Sequence, residues 1–398
     1  MKLKSIKQIK NLDSKLVLVR VDYNVTIKNG RVLDTERIER SYSTINYLLK
    51  KRAKIILMAH LGRPKGEVVP ELSLKPIVKY LNKITRRKVK FVPDCLGSKV
   101  LNAVSKLKAG QILLLENLRF YPQEKENESK FARQLADLAD IYVNSAFSVS
   151  HRAHASVSAI TRYLPAYAGL NLLEEVEALS KVIRSVKRPA IAIIGGVKIA
   201  TKINVIENLA KKYDYILLGG ALVNNFFRSQ NLNIGKSIYD PQDLKLAKKL
   251  YQKYKEKIVL PIDVRTVKKI SAQGKIETYR LFELNKIKSK NFSIIDIGPK
   301  TQIYFESFIK QAQTLVLNGP MGMFEIEKFS QGSNYIAQAF ALQAKGPAFG
   351  VVGGGETLTI LEQQGLKKWP DFVSTAGGAM LEFLEGKTLP GIKPLKNN

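Results

Sequence analysis

In 398 residues the sequence has one cysteine, one tryptophan and three histidines. Cys95 alone cannot make an internal disulfide, which suits a reducing cytoplasm. There is no HExxH string and no Cys/His ligand spacing, so a zinc-type centre is not expected. No uninterrupted apolar run is long enough to cross a bilayer. The first residues, Met1-Lys2-Leu3-Lys4-Ser5-Ile6-Lys7, carry lysines where a secretory signal would need an apolar stretch. The expectation is a cytoplasmic protein with no membrane partner. Two common nucleotide fingerprints are missing as well. The nearest approach to a P-loop, Gly235-Lys236-Ser237, has Gln230 where the first glycine is required, and no GxGxxG occurs.

Acidic residues are also scarce. Asp+Glu number 34 against 65 Lys+Arg, a formal net charge of +31, and the excess runs through both halves of the chain. Such a field attracts nucleic acid, acidic membranes or phosphorylated metabolites alike. Many lysines come as pairs on predicted helix faces, such as Lys211-Lys212 and Lys248-Lys249, the pattern of a solvated surface. No basic stripe is interleaved with aromatics, so nucleic acid is not a required partner, although so basic a surface leaves weak binding open.

What is there is an alternation of apolar strands and helical spacing. Leu16–Asp22, Lys54–Ala59, Val89–Val92, Gln111–Leu115 and Ile141–Val143 read as buried strands with helical stretches between them. Asn171–Val186 is amphipathic with no strand of its own, and Lys187-Arg188-Pro189 stops it. A second series follows at Ala190–Ile194, Tyr215–Leu218, Ile258–Pro261, Thr314–Leu317, Phe349–Val352 and near Phe372-Val373. The predicted class is α/β, with two similar-sized domains, each a parallel sheet flanked by helices (Rossmann-like), joined by a helical hinge. The expected limits are 1–170 for the first domain, 171–188 for the hinge helix and 189–385 for the second, with the proline-rich tail 386–398 packing back on the first.

Ligands of open parallel sheets sit beyond the carboxyl ends of the strands. In the first half those ends carry Arg20, Asp22, Asn24, His60, Arg63, Arg119, His151, Arg152 and His154, with Arg37 in the loop and helix start after the first strand. Arginine grips phosphate and carboxylate bidentately, so this set reads as an anion pocket. In the second half, Gly195-Gly196-Val197-Lys198-Ile199-Ala200-Thr201-Lys202 reads as strand, glycine turn and helix, with Lys198 and Lys202 four apart on one helix face. Gly219-Gly220 ends the next strand, and Asn318-Gly319-Pro320 leads a loop towards Glu325, a carboxylate suited to ribose hydroxyls. The richest stretch is Gly353-Gly354-Gly355-Glu356-Thr357. An apolar strand precedes it and a helix start follows it, the arrangement in which glycines and unpaired helix N–H groups hold a phosphate. Glu356 adds a hard oxygen ligand suited to Mg²⁺. An arginine pocket on one domain and a glycine-rich site on the other fit phosphoryl transfer with domain closure.

Several strings in order resemble the phosphoglycerate kinase family: Arg20-Val21-Asp22-Tyr23-Asn24-Val25, His60-Leu61-Gly62-Arg63-Pro64-Lys65-Gly66, Leu115-Glu116-Asn117-Leu118-Arg119-Phe120, His151-Arg152-Ala153-His154, Asn318-Gly319-Pro320-Met321-Gly322, Gly353-Gly354-Gly355, and Gly377-Gly378-Ala379 with Leu384-Glu385-Gly386. The resemblance runs essentially end to end. It implies reversible phosphoryl transfer between 1,3-bisphosphoglycerate and Mg-ADP, giving 3-phosphoglycerate and Mg-ATP, by a cytoplasmic glycolytic enzyme that is a monomer. It implies that Asp22 and Asn24 hold the carboxylate end and hydroxyl of the glycerate. His60, Arg63, Arg119 and Arg152 would hold its non-transferred phosphate, and Arg37 the transferred one. Nucleotide would be held by Lys198, Lys202, Gly219, Gly220, Asn318, Pro320, Glu325, Gly353, Gly354, Gly355, Glu356 and Thr357, with Glu356 on Mg²⁺. Arg37, Lys202, Gly354 and Gly377 form the implied catalytic set. The chain departs from the family pattern at Glu356, Thr201 and Ser145, where Asp is usual, and at Ser148 and Ala376, where Gly is usual. Loss of two carboxylates implies tighter anion binding and slower product release.

Overall fold

The computed structural model describes residues 1–397. By its internal contacts the chain divides into two units, Met1–Glu177 with Thr388–Asn398, and Ala178–Lys387. The cut falls inside one helix, Leu170–Arg184.

The first unit is built on a six-stranded sheet of β1 (Leu16–Arg20), β2 (Lys54–Met58), β3 (Val89–Phe91), β4 (Ile112–Leu114), β5 (Ile141–Asn144) and β6 (Ala166–Ala168), in the order β3-β4-β2-β1-β5-β6, all parallel. The strands are apolar runs because both faces are covered. Val17, Val19, Ile55 and Leu57 belong to one core cluster, and the residues between and beside them, Leu18, Ile56 and Met58, to another. Residues near the C-terminus pair within the same unit. Lys4 N–H donates to Leu395 O at 2.7 Å, and Asn144 Nδ2 donates to Gly391 O at 3.0 Å.

In the second unit a parallel sheet comprises β7 (Ala190–Ile194), β8 (Tyr215–Leu218), β9 (Ile258–Val259), β13 (Thr314–Asn318), β14 (Phe349–Gly353) and β15 (Phe372–Ser374), ordered β9-β8-β7-β13-β14-β15. The doubly wound α/β reading holds in both units. A further sheet was not foreseen. Strands β10 (Asp263–Val267), β11 (Ile276–Arg280) and β12 (Ser293–Ile297) form an antiparallel trio in the order β11-β10-β12. Its edge strand Ile276–Arg280 has no fully buried residue, so it carries little of the apolar signal by which a strand is read.

Each parallel sheet has one place where the strand order reverses. In the first unit the chain winds from β1 towards β2 on one side and returns to β5 on the other. In the second it winds from β7 to β8 and returns to β13. Loops leaving the carboxyl ends of such a pair diverge and open a crevice.

Candidate functional site

In the first unit, the loops after β1 and β5 meet at Asp22. Its Oδ2 accepts from Arg37 Nη1 at 2.7 Å and from Ser148 Oγ at 2.5 Å. Serine at 148 therefore occupies an acceptor that a glycine there would leave free. Asp22 Oδ1 accepts from the Asn24 backbone at 3.1 Å. The Asn24 side chain in turn accepts from Gly62 N–H at 2.9 Å, and Arg119 Nη1 donates to Gly62 O at 2.7 Å. Gly62 has φ +62, and a Cβ there would lie 2.7 Å from Leu72. The His60–Arg63 turn is thus pinned by Asn24 and Arg119 at a position where only glycine fits without strain.

Around this turn the field is positive. Burial, then Arg152 and Arg20, bring the Arg119 guanidinium down to about 10, with Arg63 adding and Glu124 opposing. Arg119 remains charged at neutral pH, and its buried Nε has no hydrogen-bond partner among the described residues. Burial holds His60 well below the usual imidazole range, assisted by Arg20, Arg119, Arg152 and His154. Burial and the neighbouring Arg152 take His151 down to about 4, so it is neutral at physiological pH. Arg152 Nε lies 3.2 Å from His151 Nε2. Arg63 and Asn24 are exposed, and Arg37 and Arg152 are half-buried. Arg20, His60, Arg63, Arg119, His151, Arg152 and His154 are therefore one electrostatic cluster, and Asp22, Asn24 and Arg37 join it through the Asn24–Gly62 hydrogen bond. Arg20 is the exception in character: it is fully buried, with its side chain engaged by Ser156, Val21 and His60.

In the second unit the site is made mostly of backbone. The loops after β7, β8 and β13 are laced together. Gly195 N–H donates to Asn318 O, Gly196 N–H to Pro320 O and Gly220 N–H to Met321 O, at 2.9, 2.8 and 2.8 Å. An added Cβ on Gly195 would come within 2.0 Å of Pro320 O, and one on Gly219 within 2.5 Å of Met321 Sδ. The loop after β14 joins through side chains. Asn318 Nδ2 donates to Gly353 O at 2.8 Å, and the buried Thr357 hydroxyl accepts from Gly319 N–H at 2.8 Å. Gly354 (φ +101) is the N-cap of the helix Gly355–Gln363, and nothing lies within 4 Å of a Cβ built on Gly355. The first N–H groups of that helix are therefore approachable by an anion. Gly377 (φ +53) caps the helix Gly378–Leu384 in the same way.

Lys202 sits inside this cage. Its Nζ donates to Gly195 O and, at 3.1 Å, to Asn318 O. Burial pushes the ammonium down to about 8, and the Glu356 carboxylate opposes that fall. Lys198 is elsewhere: it is exposed, and the segment 197–202 is not helical. The helix begins at Ile203 with Lys202 as its N-cap, so the predicted single helix face bearing both lysines is not formed. The physical cause is the turn through Gly196 (φ +102) and the anchoring of Lys202 on two carbonyls.

Beside the cage lies a cleft lined by Gly196, Gly220, Pro320, Glu325 and Glu356 on one side. Val264, Ile294 and Asp296 of the antiparallel sheet line another part. Its largely apolar lining, with Glu325 and Asp296 among the polar exceptions, suits a flat base beside a polar tail. The sequence reading missed this sheet wall and Asp296. Burial pushes Asp296 up to about 7, against the N–H donors of Gly332 and Ile297 and the Arg265 guanidinium. A carboxylate inside the apolar run Ser293–Ile297 was the signal available.

Among the described residues no group of three or more His, Cys, Asp or Glu side chains is placed to hold a metal. Glu356, exposed on the first turn of its helix beside Lys202, is a single carboxylate at the mouth of the phosphate cage. Such a donor set fits a divalent ion that arrives with polyphosphate and keeps its other ligands on phosphate and water. Among the described residues no helix is long and apolar enough to cross a membrane.

A model of the family described as phosphoglycerate kinase matches residues 6–387. The phosphoglycerate kinase of Bartonella bacilliformis is 44% identical over 399 residues, covering 99% of this chain and 98% of its own length. That of Moorella thermoacetica is 43% identical, covering 96% and 97%. The solved structure of phosphoglycerate kinase from Coxiella burnetii superposes with a TM-score of 0.89 at 39% identity, covering 99% of both chains. The structure of the Pyrococcus horikoshii enzyme superposes at 0.84 with 28% identity. With a family match across nearly its whole length and relatives at 43% and 44% identity, the chain belongs to the phosphoglycerate kinase family.

Proposed function

We propose that this chain carries out the glycolytic reaction of its family by dividing the substrates between its two units. The first binds 3-phosphoglycerate or 1,3-bisphosphoglycerate, and the second binds Mg-ADP or Mg-ATP. The observation that carries this reading is the contrast between the arginine cluster around Gly62 and the glycine cage around Lys202. Arg119, Arg152, Arg63 and His60 hold the non-transferred phosphate. Asp22 and Asn24 orient the glycerate, and Arg37, half-buried and held by Asp22, supplies a guanidinium for the transferred group. Lys202, Gly353–Gly355 and the helix N–H groups behind them take the nucleotide phosphates. The cleft walls take the base, Glu325 the ribose, and Lys198 the outer phosphate edge.

Glu356, with Thr357 adjacent, would hold Mg²⁺, which when bound would neutralise charge on the phosphate oxygens. The chain itself contributes position and charge. Little covalent work is required when a phosphoryl group passes through a loose transition state, and electrostatic stabilisation of its equatorial oxygens dominates. Arg37 belongs to the first unit and Lys202 to the second, and in this reading hinge closure during the cycle lets both act on one phosphoryl group. Closure also keeps water from an acyl phosphate. The protein acts on small molecules as a cytoplasmic monomer in this reading.

The direct test is ATP formation from 1,3-bisphosphoglycerate and Mg-ADP by the purified chain. Turnover that requires both substrates is expected; a folded protein with no turnover would refute the assignment. A salt titration of RNA binding checks whether the +31 charge has a second role. No salt-sensitive binding is expected at physiological ionic strength.

A further inference from the structure

Behind the arginine cluster of the first unit runs a buried polar chain whose proton directions are fixed by its members. Glu124 is completely buried and accepts twice from Ser156: from the backbone N–H at 2.9 Å and from the hydroxyl at 2.6 Å. A serine hydroxyl has one proton, and here it points to Glu124. Ser156 Oγ must therefore accept from Arg20 Nε, 2.9 Å away. Arg20 is also completely buried. Its Nη1 donates to Val21 O at 2.5 Å, and its Nη2 lies 3.0 Å from His60 Nδ1. A guanidinium has five N–H donors and no acceptor, so His60 Nδ1 can only accept. The ring proton is left on Nε2. A doubly protonated ring would set two donors against each other and a second positive charge beside Arg20.

We infer that Arg20, backed by Ser156 and Glu124, is a positioning residue that locks His60 as a neutral Nε2–H hydrogen-bond donor to the glycerate ligand. The inference rests on the first unit's being the glycerate site. His60 would thus contribute direction and the neighbouring arginines charge. Three further observations agree. Among the described residues, His60 Nε2 has no hydrogen-bond partner. Burial, then the neighbouring Arg20, Arg119, Arg152 and His154, disfavour the cation of the ring. Burial would raise the Glu124 carboxyl, but His154, Arg20 and Ser156 outweigh it and hold Glu124 in the ionised form that offsets the Arg20 charge. Oriented imidazoles are commonly fixed in this way, by what the other ring nitrogen bonds.

The test begins on the unmodified protein. It has three histidines, so ¹⁵N-histidine labelling gives three rings, and the His60→Gln spectrum identifies the one from residue 60. A neutral ring protonated on Nε2 across neutral pH is expected. A ring protonated on Nδ1, or an imidazolium at neutral pH, would overturn the inference. This readout needs no activity, so it is separable from failure of the kinase assay. Arg20→Met removes the donor. It should let the ring sample the Nδ1–H form and raise KM for 3-phosphoglycerate about tenfold, with kcat and the nucleotide KM within about twofold. His60→Gln, which keeps an N–H near the Nε2 position, should raise that KM by no more than about threefold, and His60→Asn by about tenfold. Equal losses in Gln and Asn, or an Arg20→Met chain that folds with an unchanged His60 tautomer, would contradict the assignment. If Arg20→Met does not fold, the spectrum of the unmodified protein decides.

Discussion

The turn at Gly62 and the turn at Gly195 are both tight glycine positions at the end of a parallel strand, yet they meet an anion with different materials. Around Gly62 the chain spends side chains. Arg119 and Asn24 pin the loop, Arg152 and Arg63 add charge, and a buried Glu124–Ser156–Arg20 chain stands behind His60. Around Gly195 it spends backbone. Carbonyls and N–H groups of three loops bond one another, and a single lysine is held inside the lattice. Under the proposed division of substrates, the difference follows ligand chemistry. A small, highly charged glycerate presents oxygen atoms on all sides, and forked guanidinium groups match them. A nucleotide presents a large flat base with a phosphate tail, which calls for an apolar wall and close backbone approach at one end.

The largest effect should come from the charges assigned to the transferred group. Arg37→Ala and Lys202→Ala should each lower kcat by a factor of about 10² to 10³, the cost of one preorganised transition-state donor. Steady-state kinetics check this. A loss confined to KM in either variant would mean that residue serves ground-state binding only.

Next in size are the glycines. Gly195→Ala places a Cβ 2.0 Å from Pro320 O, where backbone must move. A loss of roughly 2–3 kcal/mol is expected in urea unfolding, with weaker nucleotide binding. Gly355→Ala meets nothing within 4 Å and should change stability by less than about 1 kcal/mol. Similar losses at both positions would show that the lattice around Gly195 can yield.

Asp296 gives a pH-dependent contrast. Its folded value, near 7, lies above its ordinary value of 3.8. The neutral form is therefore favoured by folding. Its stabilising contribution is complete below about pH 4 and is lost as pH rises through about 7. Relative to Asp296→Asn, the unmodified protein should lose roughly 2–4 kcal/mol between pH 4 and pH 8. Parallel stability curves for the two would show that Asp296 is ionised throughout. The smallest expected effect is at Glu356→Asp. The shorter arm should leave the enzyme active within about threefold and shift the Mg²⁺ concentration needed for half-maximal rate. A metal requirement unmoved by Glu356→Asp and by Glu356→Ala would remove that residue from the metal site.

What could be read from the chain was whatever lies at the end of a buried parallel strand. Asp22, His60, Arg119, Gly195, Asn318 and Gly353 all follow apolar runs, and the position itself marks them. The antiparallel wall of the cleft escaped because Ile276–Arg280 is half-exposed along its whole length and lacks a clear period of two. Lys198 was placed beside Lys202 on a helix because spacing does not show where a helix starts; Lys202 is its N-cap. The partner of Arg20 escaped for another reason. Ser156 is 136 residues away, a separation set by sheet order and carrying no local pattern.

The division of ligands between two kinds of pocket is tested most directly by crossed calorimetric titrations. Arg119→Ala and the unmodified protein are each titrated with 3-phosphoglycerate and, separately, with Mg-ADP. The account predicts that Arg119→Ala loses at least about tenfold in affinity for 3-phosphoglycerate and stays within about twofold for Mg-ADP. Loss of Mg-ADP affinity in Arg119→Ala, or undiminished binding of 3-phosphoglycerate, would contradict it.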